Sequence, residues 1–492
     1  MSFDVWDALE SERHVPIPKL LRDPTEDTEE EAAPHALPRR FWAKALKGAI
    51  ARSYAVQLWT SMRVEEEAHT FDDVLLGFSA FMDVSPKEIL AQLDDLASRC
   101  RQQLIGQGRE LDPQNPRYDL RALILSVREF MQCEGFAVAT GQAFLNPYNQ
   151  FPPHLLGPGR SATIPMSMNW VFAAICRRIG VQAGPTNTPG KVLCHIRCPD
   201  SEKGDMLFDV CADTPPKVFS SRTPDTMLAE AGMTLASRAD AVRPASLGIM
   251  VRRAAYNIFH VTRMGQFEPG TPGDPQRRAD YAASVALASV CDPREVQAEP
   301  GRPFLQALPP VPPDCPLDKQ AVLLDMLPYL PQAAHADPSP IVGPFPHCRA
   351  TLDPPKHRPY AAFGGFVGQV VSMGANDLGC IFGWEIVERV NRPPTSIYYV
   401  LSRMGIIPCH LRDFSQVDLA PLTVEGARRL RAELSCFDQY FEDVAIPRED
   451  GVGGRLIPSV ELQTAYPDDL EYGARWTEQE LERAGSTGAV VA

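Results

Sequence analysis

The sequence predicts an α+β protein with three parts: a helical N-terminal region, an α+β middle domain, and a small, barrel-like β-rich C-terminal domain. Three observations carry that prediction. Between residues 38 and 290 apolar residues recur over long stretches at the i, i+3, i+4, i+7 spacing of helices with one buried face. Near the centre of that region a helix is followed by two short β-type runs. Beyond residue 358, runs of β-branched and aromatic residues alternate with Gly, Asn, Asp and Pro turns, the pattern of a small antiparallel barrel or curled sheet.

Taken in order, residues 1–37 hold a short amphipathic start (Phe3, Trp6, Leu9) and the acidic run from Asp23 to Glu31, which read as a flexible, solvated segment. Residues 38–110 read as a helical lead-in: RRFWAKALKGAIARSYAVQLWTSM, FDDVLLGFSAFM and SPKEILAQLDDLASRCRQQL, the last with Ser85 as N-cap, Pro86 in the first turn and Glu88 completing a capping box. Residues 111–300 form the middle domain. It opens with LRALILSVREFMQCEGF and a loop, FLNPYNQFPP, whose aromatics and prolines fit a structural lining better than a ligand site. It closes with the helices SLGIMVRRAAYNIFHVTRM and RRADYAASVALASV, where His260 reads as a packed or solvent-bonded residue rather than a base. Residues 301–358 hold fourteen prolines and are expected to act as a semi-rigid spacer. Residues 359–470 carry the strands FVGQVVSM, DLGCIFGWEIV and TSIYYVLSRM, and residues 471–492 are a tail.

Composition narrows the function classes. A net charge of −14 argues against a general polyanion binder or a membrane-surface protein. No stretch approaches the ~18 apolar residues of a membrane span, and MSFDVWDALESER is not expected to be a signal peptide. Twelve cysteines without CxxC pairs suit a reducing compartment, so cytoplasm or nucleus is expected. Neither a cofactor nor a metal site is expected.

The central stretch, Ile164 to Asp209, runs helix (PMSMNWVFAAICRRIG), strand (KVLCHIRC), strand (MLFDVC), with Ser167 able to cap the helix and Gly180 to end it. That order resembles the core of papain and transglutaminase-like folds. There a cysteine at the helix start is the nucleophile, a histidine on the next strand the base, and an aspartate on the following strand its orienter. The closer resemblance is to the SirB-type transglutaminase-like domain, carried by Pro165, Ser167, Arg177, Arg178, Gly180, Pro189, Gly190 and Asp209. The histidine position of that pattern is Lys191 here, and the nearest helical cysteine, Cys176, lies some two and a half turns beyond the helix start, where the dipole no longer helps. The resemblance therefore implies a pseudoenzyme with degenerate triad positions Ser167, Lys191 and Asp209, the last two joined as an ion pair. Cys194 and His195 are no substitute, since neighbouring strand residues point to opposite faces. Cys194 and Cys198 share a face but stand roughly 13 Å apart, too far for one metal, and read as buried structural thiols.

In the C-terminal part, Gly368, Gly379, Gly383, Trp384, Glu385, Tyr399, Val400 and Leu401 resemble the YccV-like domain described as hemimethylated-DNA-binding. Between residues 359 and 470 there are nine arginines, no lysines and fifteen acidic residues, a balance of −6 that disfavours phosphate contact unless arginines cluster, as Arg428, Arg429 and Arg431 do on a predicted helix. Trp384 and Tyr399 are candidates for an exposed aromatic contact. The pairing of the two domains resembles one group of F-box proteins, which implies Skp and cullin ligase components and a substrate protein as partners. The early Leu-Pro and three helices of an F-box are not found before Arg39. The reading is a non-catalytic binding or adaptor protein. The alternatives are a DNA binder acting through the C-terminal domain and a cysteine-type peptidase or transglutaminase.

Overall fold

The computed structural model describes residues 3–23, 30–157, 162–188, 192–200, 202, 204–212, 218–220, 234, 240–264, 275–291, 311–312, 314–318, 321–322, 354–358, 364–374, 377–389, 392–403, 405–410, 420–434 and 436–488. Helices and small sheets are arranged around two apolar cores. After α1 (Phe3–Arg13), the long helix α2 (Ala36–Ser61) serves both: Ala36 and Leu37 are buried in the C-terminal core, and Ala51, Ala55 and Trp59 in the larger one.

The helices of the larger core follow the sequence periodicity. α3 (Phe71–Ser79) opens with a capping box between Thr70 and Asp73, and α4 (Pro86–Gly106) with Ser85, whose side chain accepts the Lys87 amide at 3.3 Å. Gly77 of α3 lies against the indole of Trp59, where a Cβ would stand 2.4 Å from Cε2 and 2.5 Å from Cζ2. Alanine in a helix interior is normally worth up to ~1 kcal/mol over glycine. Here both partners are buried, so Gly77→Ala is expected to cost about 1–3 kcal/mol by overpacking, read as a lowered urea midpoint. A raised midpoint would refute this contact.

α5 (Leu120–Cys133) and the short α6 (Pro152–Leu156) lead to α7 (Pro165–Arg178), which is buried along most of its length. Its C-terminal end is fixed by charge: Arg177 and Arg178 both pair with Asp72, the latter at 2.6 Å, and Gly180 then turns the chain at φ +97. The strands β1 (Ala183–Pro185), β2 (Cys194–Ile196), β3 (Met206–Phe208) and β4 (Val218–Ser220) form an antiparallel meander in that order. β2 and β3 fall within the two runs anticipated after the helix, whereas β1 and β4, of the same three-residue length, were not anticipated. α8 (Leu247–Met264) and α9 (Pro275–Val290) pack on each other and close this core.

The proline-rich stretch is not only a spacer. Most of it lies outside the described residues, but Cys315, Asp318 and Val322 are buried, and Asp318 forms a bidentate pair with the equally buried Arg52 of α2 at 2.6 and 2.8 Å.

In the C-terminal part β5 (Val370–Gly374), β6 (Asp377–Arg389), β7 (Arg392–Ser402) and β8 (Gly405–His410) make an antiparallel sheet in sequence order. They are followed by α10 (Val424–Glu433), α11 (Phe437–Tyr440), the hairpin of β9 (Phe441–Ala445) and β10 (Arg455–Pro458), α12 (Val460–Ala465) and α13 (Asp469–Gly488). Among the described residues no strand pairing joins the sheet to the hairpin, so closure into a barrel is not seen. The segments read as a flexible N-terminus and a tail both contribute ordered structure. Ile17 and Leu21 are buried in the C-terminal core, and α13 sets Tyr472 and Trp476 against Phe366, with ring centroids 5.9 and 5.3 Å away. Among the described residues no helix is long and apolar enough to cross a membrane.

Candidate functional site

The start of α7 forms one wall of a cavity of about 250 Å³. Pro165 stands at the first helical position, where its missing N–H would have had no partner, and Ile164 at the N-cap supplies no side-chain hydrogen bond to the first-turn amides. Ser167, anticipated as the cap, is instead the third helical residue. It is fully buried, and its hydroxyl donates to the backbone carbonyl of Asn149. Asp209 follows β3, is fully buried, and accepts the Cys211 amide on Oδ1 at 3.2 Å. Lys191, with Pro189 and Gly190, lies outside the described residues, and so does its anticipated ion pair with Asp209.

Other walls come from segments that the sequence reading set aside. The loop before α6 contributes Phe144, Asn146, Pro147, Asn149 and Gln150, and α8 contributes Arg253, Asn257 and His260. The polar atoms here are incompletely satisfied. Asn149, 2% exposed, donates to the carbonyls of Ala143 and Phe144 at 3.0 and 3.2 Å, but among the described residues its Oδ1 has no hydrogen-bond partner. Gln150, 1% exposed, has no partner for either side-chain atom among the described residues. Among the described residues Arg253 makes only long contacts, 3.4 Å to Asn187 Oδ1 and 3.3 Å to the Thr188 carbonyl, and burial pulls its guanidinium below the ordinary range. His260 stands exposed at the edge. Cys211 places its sulfur 4.0 Å from the Pro165 carbonyl and also borders a second hollow of about 520 Å³ next to Arg128.

Two other thiols of this part, Cys194 and Cys176, are buried. Cys194 is fully buried and burial pushes its thiol up to about 12, while its neighbour His195 turns to the other face and meets Asp205 at 3.1 Å. Burial pulls the His195 imidazole down, against the opposing pull of Asp205. Cys176, buried in α7, is likewise pushed well above the ordinary thiol range by desolvation. No group of three or more metal-ligating side chains occurs among the described residues.

Among the C-terminal candidates Trp384 is buried and Arg429 exposed, the others lying between. Trp384 is 2% exposed, its indole N–H donating to Asp469 Oδ2 at 3.0 Å and its ring 5.3 Å from Tyr466, so the expectation of an exposed aromatic contact is corrected for this residue. Tyr399 is half-buried, and burial together with Glu385 holds its hydroxyl proton on. Arg428 donates to the Leu20 carbonyl at 3.0 Å, Arg429 to Glu433 at 2.7 Å, and Arg431 to both oxygens of Asp438 and to the Leu21 carbonyl. Arg428 and Arg431 tie α10 to the N-terminal segment, while Arg429 is exposed and pairs with Glu433 within the helix.

The residues that line the cavity, above all Asn149, Gln150, Cys211 and Arg253, were not singled out from sequence. The available signal was the run Asn-Pro-Tyr-Asn-Gln-Phe-Pro-Pro, in which prolines stiffen a loop that carries carboxamides. No curated protein and no solved structure matches the chain. Residues 87–255, which span α4 to the first half of α8 and hold most of the cavity wall, match the Transglutaminase-like superfamily, and the chain therefore carries a transglutaminase-like domain.

Proposed function

We propose that this chain is a non-catalytic binding protein of the adaptor kind, in which the transglutaminase-like domain keeps a ligand-sized cavity but not the chemistry. The observation that carries the reading is Ser167, a buried residue at the helix start whose hydroxyl is engaged by the Asn149 carbonyl, so that the first turn of α7 presents no nucleophile to the cavity. The buried, protonated thiols of Cys176 and Cys194 support it. In this reading the C-terminal domain, of the YccV-like kind, recognises a protein. Engagement of Arg428 and Arg431 with the N-terminal segment and Asp438 favours that over phosphate recognition. A substrate-recruiting role beside Skp and cullin components, as in F-box proteins with this pairing of domains, is the specific form we favour.

A second reading has one observation in its favour: Cys211 and His260, on separate elements, line the same cavity, with the Cys211 sulfur beside the first turn of α7. It makes the chain a thiol-dependent acyl-transfer enzyme. Incubating the full chain with a glutamine-containing peptide and a primary amine separates the two. Our expectation is no release of ammonia above background, with or without iodoacetamide. Turnover that iodoacetamide and Cys211→Ser both abolish would overturn the binding reading.

A further inference from the structure

The cavity at the start of α7 is lined by two adjacent buried carboxamides whose hydrogen-bonding capacity the fold leaves partly unused. Burying a polar group without a partner costs stability, and Gln150 has neither end of its amide matched among the described residues. A leucine of similar size would fill the same space without that cost. Asn149 is matched at one end only. The Ala143 and Phe144 carbonyls take its amino group, which fixes the orientation of the amide and leaves Oδ1 without a partner among the described residues. Together the two side chains offer an occupant two acceptor oxygens and one amino group, all of them neutral. We propose that the cavity binds a small neutral cyclic ureide, a ring in which one carbonyl lies between two N–H groups, as in a pyrimidinedione.

This assignment follows from hydrogen-bond valence and rests on the binding reading given above. A carboxylate or phosphate brings acceptors alone and leaves both oxygens unmatched, while an ammonium brings donors alone and leaves the amino group unmatched. A trans peptide group carries its N–H and C=O on opposite edges, so it cannot meet both ends of one carboxamide. A ring amide is held cis and presents the two side by side, which is the complement of Gln150. Consecutive residues on the 3₁₀ turn Pro147–Gln150 diverge by about 120°, so Oδ1 of Asn149 approaches from a different side. That arrangement suits a second N–H on a separate nitrogen, which a ureide has, better than the second proton of a primary carboxamide. Pro147, Ile164 and Ile258 supply apolar walls for the faces of a flat ring. Being neutral, such a ring incurs no Coulomb penalty from Asp209 or Arg253, which also border the space. The size agrees with a single ring: about 250 Å³ falls below the roughly 300–1,000 Å³ typical of drug-sized ligands.

Titration calorimetry on the full chain tests this with uracil against three probes: 1,3-dimethyluracil, which lacks both N–H groups, propionamide, a primary carboxamide, and propionate, which brings acceptors alone. The expected result is binding of uracil, with each of the others weaker by about tenfold or more. Gln150→Leu should weaken uracil by about tenfold or more while leaving the thermal midpoint unchanged or raised, because a buried unmatched amide is removed. Should that variant fail to fold, Gln150→Met, unbranched like glutamine, carries the same expected loss of affinity. If any of the three probes binds as tightly as uracil, or if the Gln150 variant keeps the parent's affinity, the ureide assignment is overturned and the binding reading stands. Failure of uracil to bind at millimolar concentration, which would leave only water on these atoms, overturns it as well. Thiol-dependent ammonia release, by contrast, overturns the binding reading itself.

Discussion

Replacing Asp318 with alanine is expected to destabilise the chain by about 3–5 kcal/mol, the cost of leaving a buried charge without its partner. Asp318 is fully buried and receives Arg52 Nε and Nη2 together with the Tyr281 hydroxyl at 2.9 Å. Its removal strands a guanidinium that is 1% exposed, with only Asp83, 3.1 Å away, as compensation. The double variant Arg52→Met/Asp318→Leu should recover most of the loss, since apolar replacement of a buried pair is often neutral or better. Urea midpoints of the two variants decide the matter. An unchanged midpoint for Asp318→Ala would mean that Asp318 does not dock on α2. The network also fixes an acid limit. Burial acts first to push the Asp83 carboxyl up, but Arg278 and Arg52 outweigh it and hold it below the ordinary range. A carboxyl whose folded-state pKa is depressed stabilises the fold above its unfolded value of about 4 and loses that contribution as pH falls through the folded value.

The second large effect belongs to the C-terminal part. Asp469, 1% exposed, accepts the Val367 amide at 2.7 Å, the Trp384 indole at 3.0 Å and the Arg358 guanidinium at 2.8 Å. It thereby ties β6 to the start of α13 and to the segment before β5. Asp469→Ala removes an acceptor shared by three donors, of which Arg358 keeps the Gly365 carbonyl at 3.0 Å, and is expected to cost about 3–5 kcal/mol, most of it from the buried ion pair, with loss of the near-ultraviolet circular dichroism contributed by Trp384. Asp469→Asn, which keeps an acceptor but not the charge, should fall between. Equal stability of Asp469→Ala and the parent would show that this carboxylate is not the hub described.

The legible parts of the fold were those written in a period. Helices α2, α4, α5, α7, α8 and α9 and the strands β5, β6 and β7 coincide with runs whose apolar spacing or β-branched content marks them locally. What was missed depends on partners distant in sequence. The burial of Cys315 and Asp318 follows from Arg52, 266 residues away from Asp318, and no local pattern in a proline-rich stretch announces it. The same holds for the candidate site. The helix start and Asp209 were found because a pattern of neighbouring residues carries them, whereas Asn149, Gln150 and Arg253 reach the cavity from elements before and after that pattern. Trp384 was misjudged for a related reason: an aromatic on a strand reads alike whether the face is covered or bare, and α13, which covers it through Asp469, comes 85 residues later.

The docking of the N-terminal segment has a temporal side. Leu20 and Leu21 are held by Arg428 and Arg431, residues 408 and 410 positions further along the chain. At a synthesis rate of about 5–20 residues per second, that separation corresponds to roughly 20–80 s during which Ile17 and Leu21 are outside the ribosome while the helix that covers them is not yet made. The transglutaminase-like domain, encoded between the two, is complete well before that contact can close. During translation these apolar residues therefore depend on shielding from another source, and a ribosome stalled before α10 leaves them uncovered.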